Sequence, residues 1–327
     1  MARSTVAVTM GDPAGIGPEI VASALAAELH RAVVVGDLNR LEQALTVSRF
    51  GGRAHLRSIV SASEARFEPG AINVIDLRNV PRDLPWGELS SAAGAAAYAY
   101  LEKATRMALD GQVDAICTAP INKEAWREAG IPHPGHTEAL AALTETDRYA
   151  MMLVNQKLRV VHLSTHTSLA QAIAKATTNR CLDCIELAAE FLTQRAGVVR
   201  PRVAVAGLNP HAGENGLLGN EDRDRLLPAV AKAHELGIDA SGPWPADTVY
   251  VRAAAGEFDA VVAPYHDQGH IPIKMIGLDT GVNVTIGLPI IRTSVDHGTA
   301  FDIAGSGQAR HANLLAALRL AEELAGG

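Results

Sequence analysis

Short β-branched runs alternate with longer alanine- and leucine-rich helical patterns from one end of the 327-residue chain to the other. A strand followed by a helix-length segment cannot fold straight back as a hairpin. It must cross over and rejoin the sheet in the same direction, so the pattern predicts an α/β fold with a mixed, largely parallel sheet. Strands are expected at Val6–Met10, Ala32–Val35, Ala71–Leu77, Asp114–Thr118, Ala150–Val154, Leu158–Ser164, Arg202–Leu208, Ala260–Pro264 and Val282–Ile286. Helices are expected at Pro18–Leu29, Ser91–Leu109, Glu138–Leu143, Asn179–Arg195, Arg223–Leu236 and Ala309–Leu324. Arg53–Gly70 reads as irregular, and Asp239–Asp247, with Gly242, Pro243 and Pro245, reads as a crossing loop. If that loop is a lobe boundary, residues 132–247 form a central lobe inserted into one built from residues 1–131 and 248–327. An apolar content of 48% is enough to give each lobe its own core.

Charge narrows the partners. A net charge of −7 argues against a nucleic-acid or anionic-membrane surface, since both need clustered cations, while local Lys and Arg still allow a small anion. The apolar run in Met1–Met10 is too short for a signal peptide, and no uncharged run of membrane-spanning length follows, which predicts a cytoplasmic protein. The three cysteines are odd in number and fit reduced thiols. Cys181 and Cys184 form a CxxC, but within an expected amphipathic helix, where they read as small buried hydrophobes.

Three of the twelve histidines follow an expected strand and sit in a polar loop containing glycine or proline: His166, His211 and His266. Loops at the carboxyl ends of strands in an α/β sheet meet at one edge, so three imidazoles there suggest a metal site with a position left open for substrate or water. His162 and His166 share a strand face, and His166 is preferred because it lies at the strand end. His266 and His270 have the i, i+4 spacing of a metalloprotease helix, but the glutamate of that motif is missing and Gly269 and Pro272 argue against a regular helix. His30, His55, His234 and His311 read as structural.

Other loops carry chemistry beside a plain structural reading. Gly11-Asp12-Pro13-Ala14-Gly15-Ile16-Gly17-Pro18-Glu19 joins a strand to a helix; its glycines could admit an anion or cofactor, or simply make a tight turn. Thr118–Lys123 follows a strand and opens a helix, and in His133–Glu138 Thr137 could cap the next helix while His136 faces whatever the loop surrounds. Lys274, Asn283 and Arg292, on two loops and the strand between them, together read as an anion clamp. His297–Gly307 is too rich in small residues for a core element, and a nucleotide could lie against it.

Five segments, Gly11–Glu19, Gly135–Glu138, Leu208–Glu214, Tyr265–Gly269 and Asp296–Gly305, resemble in order those of the 4-hydroxythreonine-4-phosphate dehydrogenases of the pyridoxal phosphate pathway. The resemblance implies a two-lobed α/β/α fold similar to isocitrate and isopropylmalate dehydrogenases, with the active site in the cleft between the lobes and the central lobe carrying metal ligands and dimer contacts. It implies NAD or NADP bound without the Rossmann fingerprint, with Gly11, Asp12, Gly15, His297, Gly298 and Asp302 as cofactor contacts. It implies one divalent ion, zinc, magnesium or cobalt, held by His166, His211 and His266, with ligands drawn from both subunits of a homodimer. His136, Thr137, Lys274, Asn283 and Arg292 would touch a small phosphorylated substrate. Asp247 and Asp267 would orient a ligand imidazole or take a proton; helix capping and loop hydrogen bonds are the plain alternative for both.

The implied reaction oxidises 4-(phosphooxy)-L-threonine to 2-amino-3-oxo-4-(phosphooxy)butanoate, which loses CO₂ to give 3-amino-2-oxopropyl phosphate. A sister dehydrogenase acting on erythronate or threonate 4-phosphate or on a dihydrodiol carboxylate fits the same motifs. Metal-assisted aldol cleavage or hydrolysis without a nicotinamide, or a non-catalytic phosphate-ligand sensor, stay open at the level of the residues alone.

Overall fold

In a computed structural model, which describes residues 4–277 and 280–326, the expected strands and helices form with their bounds moved by a few residues. The strands are β1 (Val6–Thr9), β2 (Ala32–Gly36), β3 (His55–Ile59), β4 (Ala71–Asp76), β5 (Ala115–Thr118), β6 (Ala150–Val154), β7 (Arg159–His162), β8 (Val203–Ala206), β9 (Ala240–Trp244), β10 (Ala260–Ala263), β11 (Val282–Ile286) and β12 (Ile291–Val295). The helices are α1 (Gly17–Ala27), α2 (Leu38–Val47), α3 (Ser91–Leu109), α4 (Lys123–Glu128), α5 (His136–Leu143), α6 (Leu169–Lys175), α7 (Thr178–Arg195), α8 (Leu227–Glu235), α9 (Ala246–Ala254), α10 (His266–Ile276) and α11 (Ala312–Gly326). Among the described residues, no helix is long and apolar enough to cross a membrane.

The chain divides into two units: residues 1–147 with 288–326, and residues 148–287. The exchange points fall later than the 132 and 247 expected from the sequence. Continuous pairing explains the second of them, because β10 and β11 hydrogen-bond to β7 and β6 and so stay with the central segment.

In the first unit the strand order is β3-β4-β2-β1-β5-β12, and every neighbouring pair is parallel. β1, β2 and β5 are buried at every position, as parallel strands covered on both faces must be. Helix α3 packs against β1, β2 and β5, and α11 against β1, β5 and β12. In the second unit the order is β11-β6-β7-β10-β8-β9. Here β6 runs antiparallel to both β11 and β7, while β7, β10, β8 and β9 are parallel to one another. Leu153, Val160, Ala204, Val261, Val249 and Ile273 belong to the core cluster of this unit. On α7, Cys181, Cys184, Ile185 and Leu192 are fully buried, so both cysteines are free thiols used as core side chains.

Several elements differ from the sequence reading for identifiable reasons. β3 and β9 end their units' strand orders, and an outer strand tolerates the polar side chains of one and the Gly242-Pro243 of the other, because one row of its backbone groups need not pair. β12 is buried throughout, with Arg292, Thr293 and Ser294 in its middle, so Arg292 is a strand residue and not a loop residue. The segment after Tyr265 is helical despite Gly269 and Pro272, which places Lys274 on α10 as well. Thr137 does not cap α5; the cap position is Gly135, and Thr137 lies inside the first turn.

Candidate functional site

β7, β10 and β8 are adjacent and parallel, so the loops that follow them leave the same edge of the second unit. His166 lies in the loop after β7, His211 in the 3-10 turn Pro210–Gly216 after β8, and His266, expected in a loop, opens α10 directly after β10 and Pro264-Tyr265. The loops are tied to one another: Ser164 Oγ donates to the Pro264 carbonyl at 3.1 Å, and Gln268 Nε2 donates to the Gly207 carbonyl at 2.8 Å. Arg180, from α7, donates to the carbonyls of Leu163 and Tyr149, both at 3.0 Å, and holds the first loop from below.

The His166 and His266 rings lie 5.7 Å apart, centroid to centroid, tilted by 49°. Two imidazoles on one tetrahedral cation at ordinary Zn–N distances have centroids about 5 Å apart, so this pair has a separation suited to a shared ion. His266 Nδ1 lies 2.7 Å from Asp267 Oδ1, which leaves Nε2 as the nitrogen for a cation. His211 is exposed on its loop, and among the described residues no three His, Cys, Asp or Glu side chains gather closely enough to ligate one ion. Asp247 stands exposed in the first turn of α9.

The His211 loop is strained. His211, Ala212, Gly213, Glu214, Asn215 and Gly216 have φ of 51°, 52°, 81°, 44°, 55° and 98°. Left-handed backbone costs roughly 1–2 kcal/mol per non-glycine residue, or roughly 4–8 kcal/mol for the four here. Asp222, only 1% exposed, offsets it by accepting from Leu208 N at 2.6 Å, Asn209 N at 3.0 Å and Asn209 Nδ2 at 2.9 Å. Three charge-assisted bonds at roughly 1.5–3 kcal/mol each are of the size required. Asp222 escaped the sequence reading because an acid in DRDRL looks like a solvated helix face.

A second histidine pair lies beneath the first. His162 is 1% exposed, and burial together with the neighbouring His270 pulls its pKa down to about 3, so it is a neutral imidazole. The His162, His270 and His266 rings follow one another at 4.7 and 3.6 Å. The i, i+4 spacing of His266 and His270 was the signal for this stack. Lys274 is half-buried one turn further along α10. Asn283, opposite Leu153 on β6, has a buried Oδ1 with no hydrogen-bond partner, which costs about 1–3 kcal/mol until a donor reaches it.

In the first unit, Arg292 is 2% exposed and donates to Thr118 Oγ1 through Nε at 3.2 Å and Nη2 at 2.8 Å. Burial lowers its pKa to about 10. His136 is half-buried against the edge of Trp126, and burial, Arg292 and Lys123 hold it well below the ordinary histidine value. A guanidinium, a neutral imidazole and a nearby ammonium make this end of β5 and β12 suited to an anion.

The glycines of the first loop are filled by the chain itself. A Cβ on Gly11 would come within 2.5 Å of the Pro120 carbonyl oxygen, and one on Gly15 within 2.8 Å of Thr299 Cβ. Ile16 N donates to Thr299 O at 3.0 Å, and the buried Glu19 accepts from the amides of Gly305 at 2.5 Å and Gly307 at 2.8 Å. Asp12 is fully buried with Oδ1 on Ala14 N at 2.8 Å, and burial raises its pKa to about 6. These bonds hold the 297–307 segment in place and leave His297, Gly298 and Asp302 exposed on it.

The family model for the pyridoxal phosphate biosynthetic protein PdxA matches residues 28–321. A D-threonate 4-phosphate dehydrogenase of Cupriavidus necator is 51% identical, over 98% of this chain and 97% of its own length. A 4-hydroxythreonine-4-phosphate dehydrogenase of Desulfosudis oleivorans is 47% identical, over 98% and 95%. The crystal structure of a 4-hydroxythreonine-4-phosphate dehydrogenase from Klebsiella pneumoniae matches with a TM-score of 0.94 at 48% identity, covering 99% of this chain and 98% of that one. With these matches along nearly its whole length, the chain belongs to the PdxA family and is a dehydrogenase acting on a CH–OH group.

Proposed function

We propose that the protein oxidises the C3 alcohol of a four-carbon, 4-phosphorylated hydroxy acid with NAD or NADP and one divalent ion, and that D-threonate 4-phosphate is its first substrate. The observation that carries the reading is the placement of His166, His266 and His211 just beyond the carboxyl ends of three adjacent parallel strands, with the first two already at a separation suited to one cation. The choice of substrate rests on the relative that is 51% identical and named for D-threonate 4-phosphate.

In this reading His166, His211 and His266 hold zinc, magnesium or cobalt, with ligands from both subunits of a homodimer. When bound, the ion supplies Lewis acidity that polarises the alcohol and then the β-keto acid, and the nicotinamide takes the hydride. Asp267 fixes the tautomer of His266, and Asp247 or Asp267 accepts the hydroxyl proton. Arg292 takes the phosphate: burying its charge costs about 3 kcal/mol, by the drop in its pKa, and a bound dianion offsets that cost. His136, Thr137, Lys274 and Asn283 complete the substrate contacts, Asn283 by giving its buried carbonyl oxygen a donor. His297, Gly298 and Asp302 meet the nucleotide directly, while Gly11, Asp12 and Gly15 act from behind the segment that carries them.

The second reading is 4-hydroxythreonine 4-phosphate, and with it a place in pyridoxine biosynthesis; the 47% identical relative of that name favours it. The two substrates share the carboxylate, the C3 alcohol and the phosphate and differ at C2, hydroxyl against ammonium. Both are tested by following nicotinamide absorbance with each substrate, with and without added divalent ion. Faster turnover of D-threonate 4-phosphate supports the first reading, faster turnover of the amino acid supports the second, and turnover of neither contradicts both.

A further inference from the structure

We propose that His270 is a positioning residue for His266: its ring, held between His162 and His266, sets the plane in which His266 presents Nε2 to the cation. The inference rests on the reading of His266 as a ligand and deepens it. The His270 ring lies 3.6 Å from that of His266 with only 15° between their planes. His270 Nδ1 is 3.0 Å from the backbone carbonyl of His266, so the ring is anchored to the residue on which it stacks. Behind it, the fully buried His162 ring lies 4.7 Å away at 52° and closes the space into which His270 could retreat.

Gly269 makes this packing possible. A Cβ there would come within 2.3 Å of His162 Nε2, so α10 can lie against β7 at this depth only with glycine. The result is a column of rings rooted in the core and ending at the His266 imidazole. Asp267 sets the tautomer of that imidazole from the side, and His270 sets its plane from below. Each restraint removes rotational freedom before the ion arrives, and supporting contacts of this kind are commonly worth about 10- to 100-fold in metal affinity.

The test is calorimetric titration of the chelator-treated full-length protein with Zn²⁺ alone, alongside NAD binding and thermal unfolding of the same samples. His270→Ala is expected to bind Zn²⁺ about tenfold more weakly with NAD affinity unchanged, and His270→Phe, which keeps a ring in the stack, to bind more tightly than His270→Ala. Wild-type Zn²⁺ affinity in His270→Ala, whatever its melting temperature, overturns the inference. If His270→Ala does not fold, His270→Gln against His270→Phe replaces it: Gln keeps a polar contact but no ring and should bind more weakly, and equal affinities overturn the inference. His266→Ala separates the two levels. Loss of Zn²⁺ there, with none in His270→Ala, removes the positioning role alone; retention of Zn²⁺ in His266→Ala removes the ligand reading with it.

Discussion

Gln268 Nε2 donates to the carbonyl of Gly207 at 2.8 Å, joining residues 61 positions apart and tying the start of α10 to the end of β8. His266 and His211 sit on the two segments so joined. Gln268→Ala is expected to destabilise the protein by about 1–3 kcal/mol, because a buried carbonyl loses its donor. It should also weaken Zn²⁺ binding, and calorimetry beside thermal unfolding checks both; a lower melting point with unchanged Zn²⁺ affinity would confine the bond to stability.

His211→Ala should lower bound metal and turnover together, with little loss of stability, since the side chain is exposed and alanine keeps the same Cβ in the left-handed backbone. Elemental analysis of the dialysed protein is the measurement. Unchanged metal content in the variant would remove His211 from the ligand set.

Arg292→Ala should cut substrate affinity roughly a hundredfold, about 3 kcal/mol, as expected when one partner of a buried charge pair is lost. Nucleotide affinity should stay as it was. Arg292→Lys should rescue poorly, because one ammonium cannot reproduce a fork that contacts Thr118 through Nε and Nη2 while offering donors to a phosphate. Equal losses in substrate and nucleotide binding would count against the clamp.

Asp12 gives a pH signature. Folding raises its pKa from 3.8 to about 6, chiefly through burial. Below pH 3.8 the carboxyl is protonated in both folded and unfolded chains and nothing is lost; as pH rises through 6 the folded state must carry a buried carboxylate, and about 3 kcal/mol of stability goes. Asp12→Asn cannot ionise, so its stability relative to wild type should improve between pH 4 and pH 7 in denaturant titrations. A difference that does not change with pH would mean that Asp12 is ionised without penalty.

The parts legible from the sequence were those with a strong local signal. Val33–Val35 and Val203–Val205 announce buried strands, and the His loops stand out because each follows such a run. Arg292 was assigned the wrong element, since an arginine in a fully buried strand makes sense only once Thr118 is seen beside it. Gly269 and Pro272 hid α10, because the reason for the glycine is the ring of His162, more than a hundred residues earlier. Glu19, Asp222 and Gln268 were silent for the same reason: their partners are mostly backbone groups that no spacing rule brings near.

The most direct test of the account is a crystal structure of the protein loaded with Zn²⁺, with anomalous scattering used to place the ion. The account predicts one peak per active site, with imidazole nitrogens of a His166, a His211 and a His266, drawn from two subunits, at about 2.0–2.1 Å. A peak held by other side chains, or these imidazoles turned away from any shared ion, would contradict it.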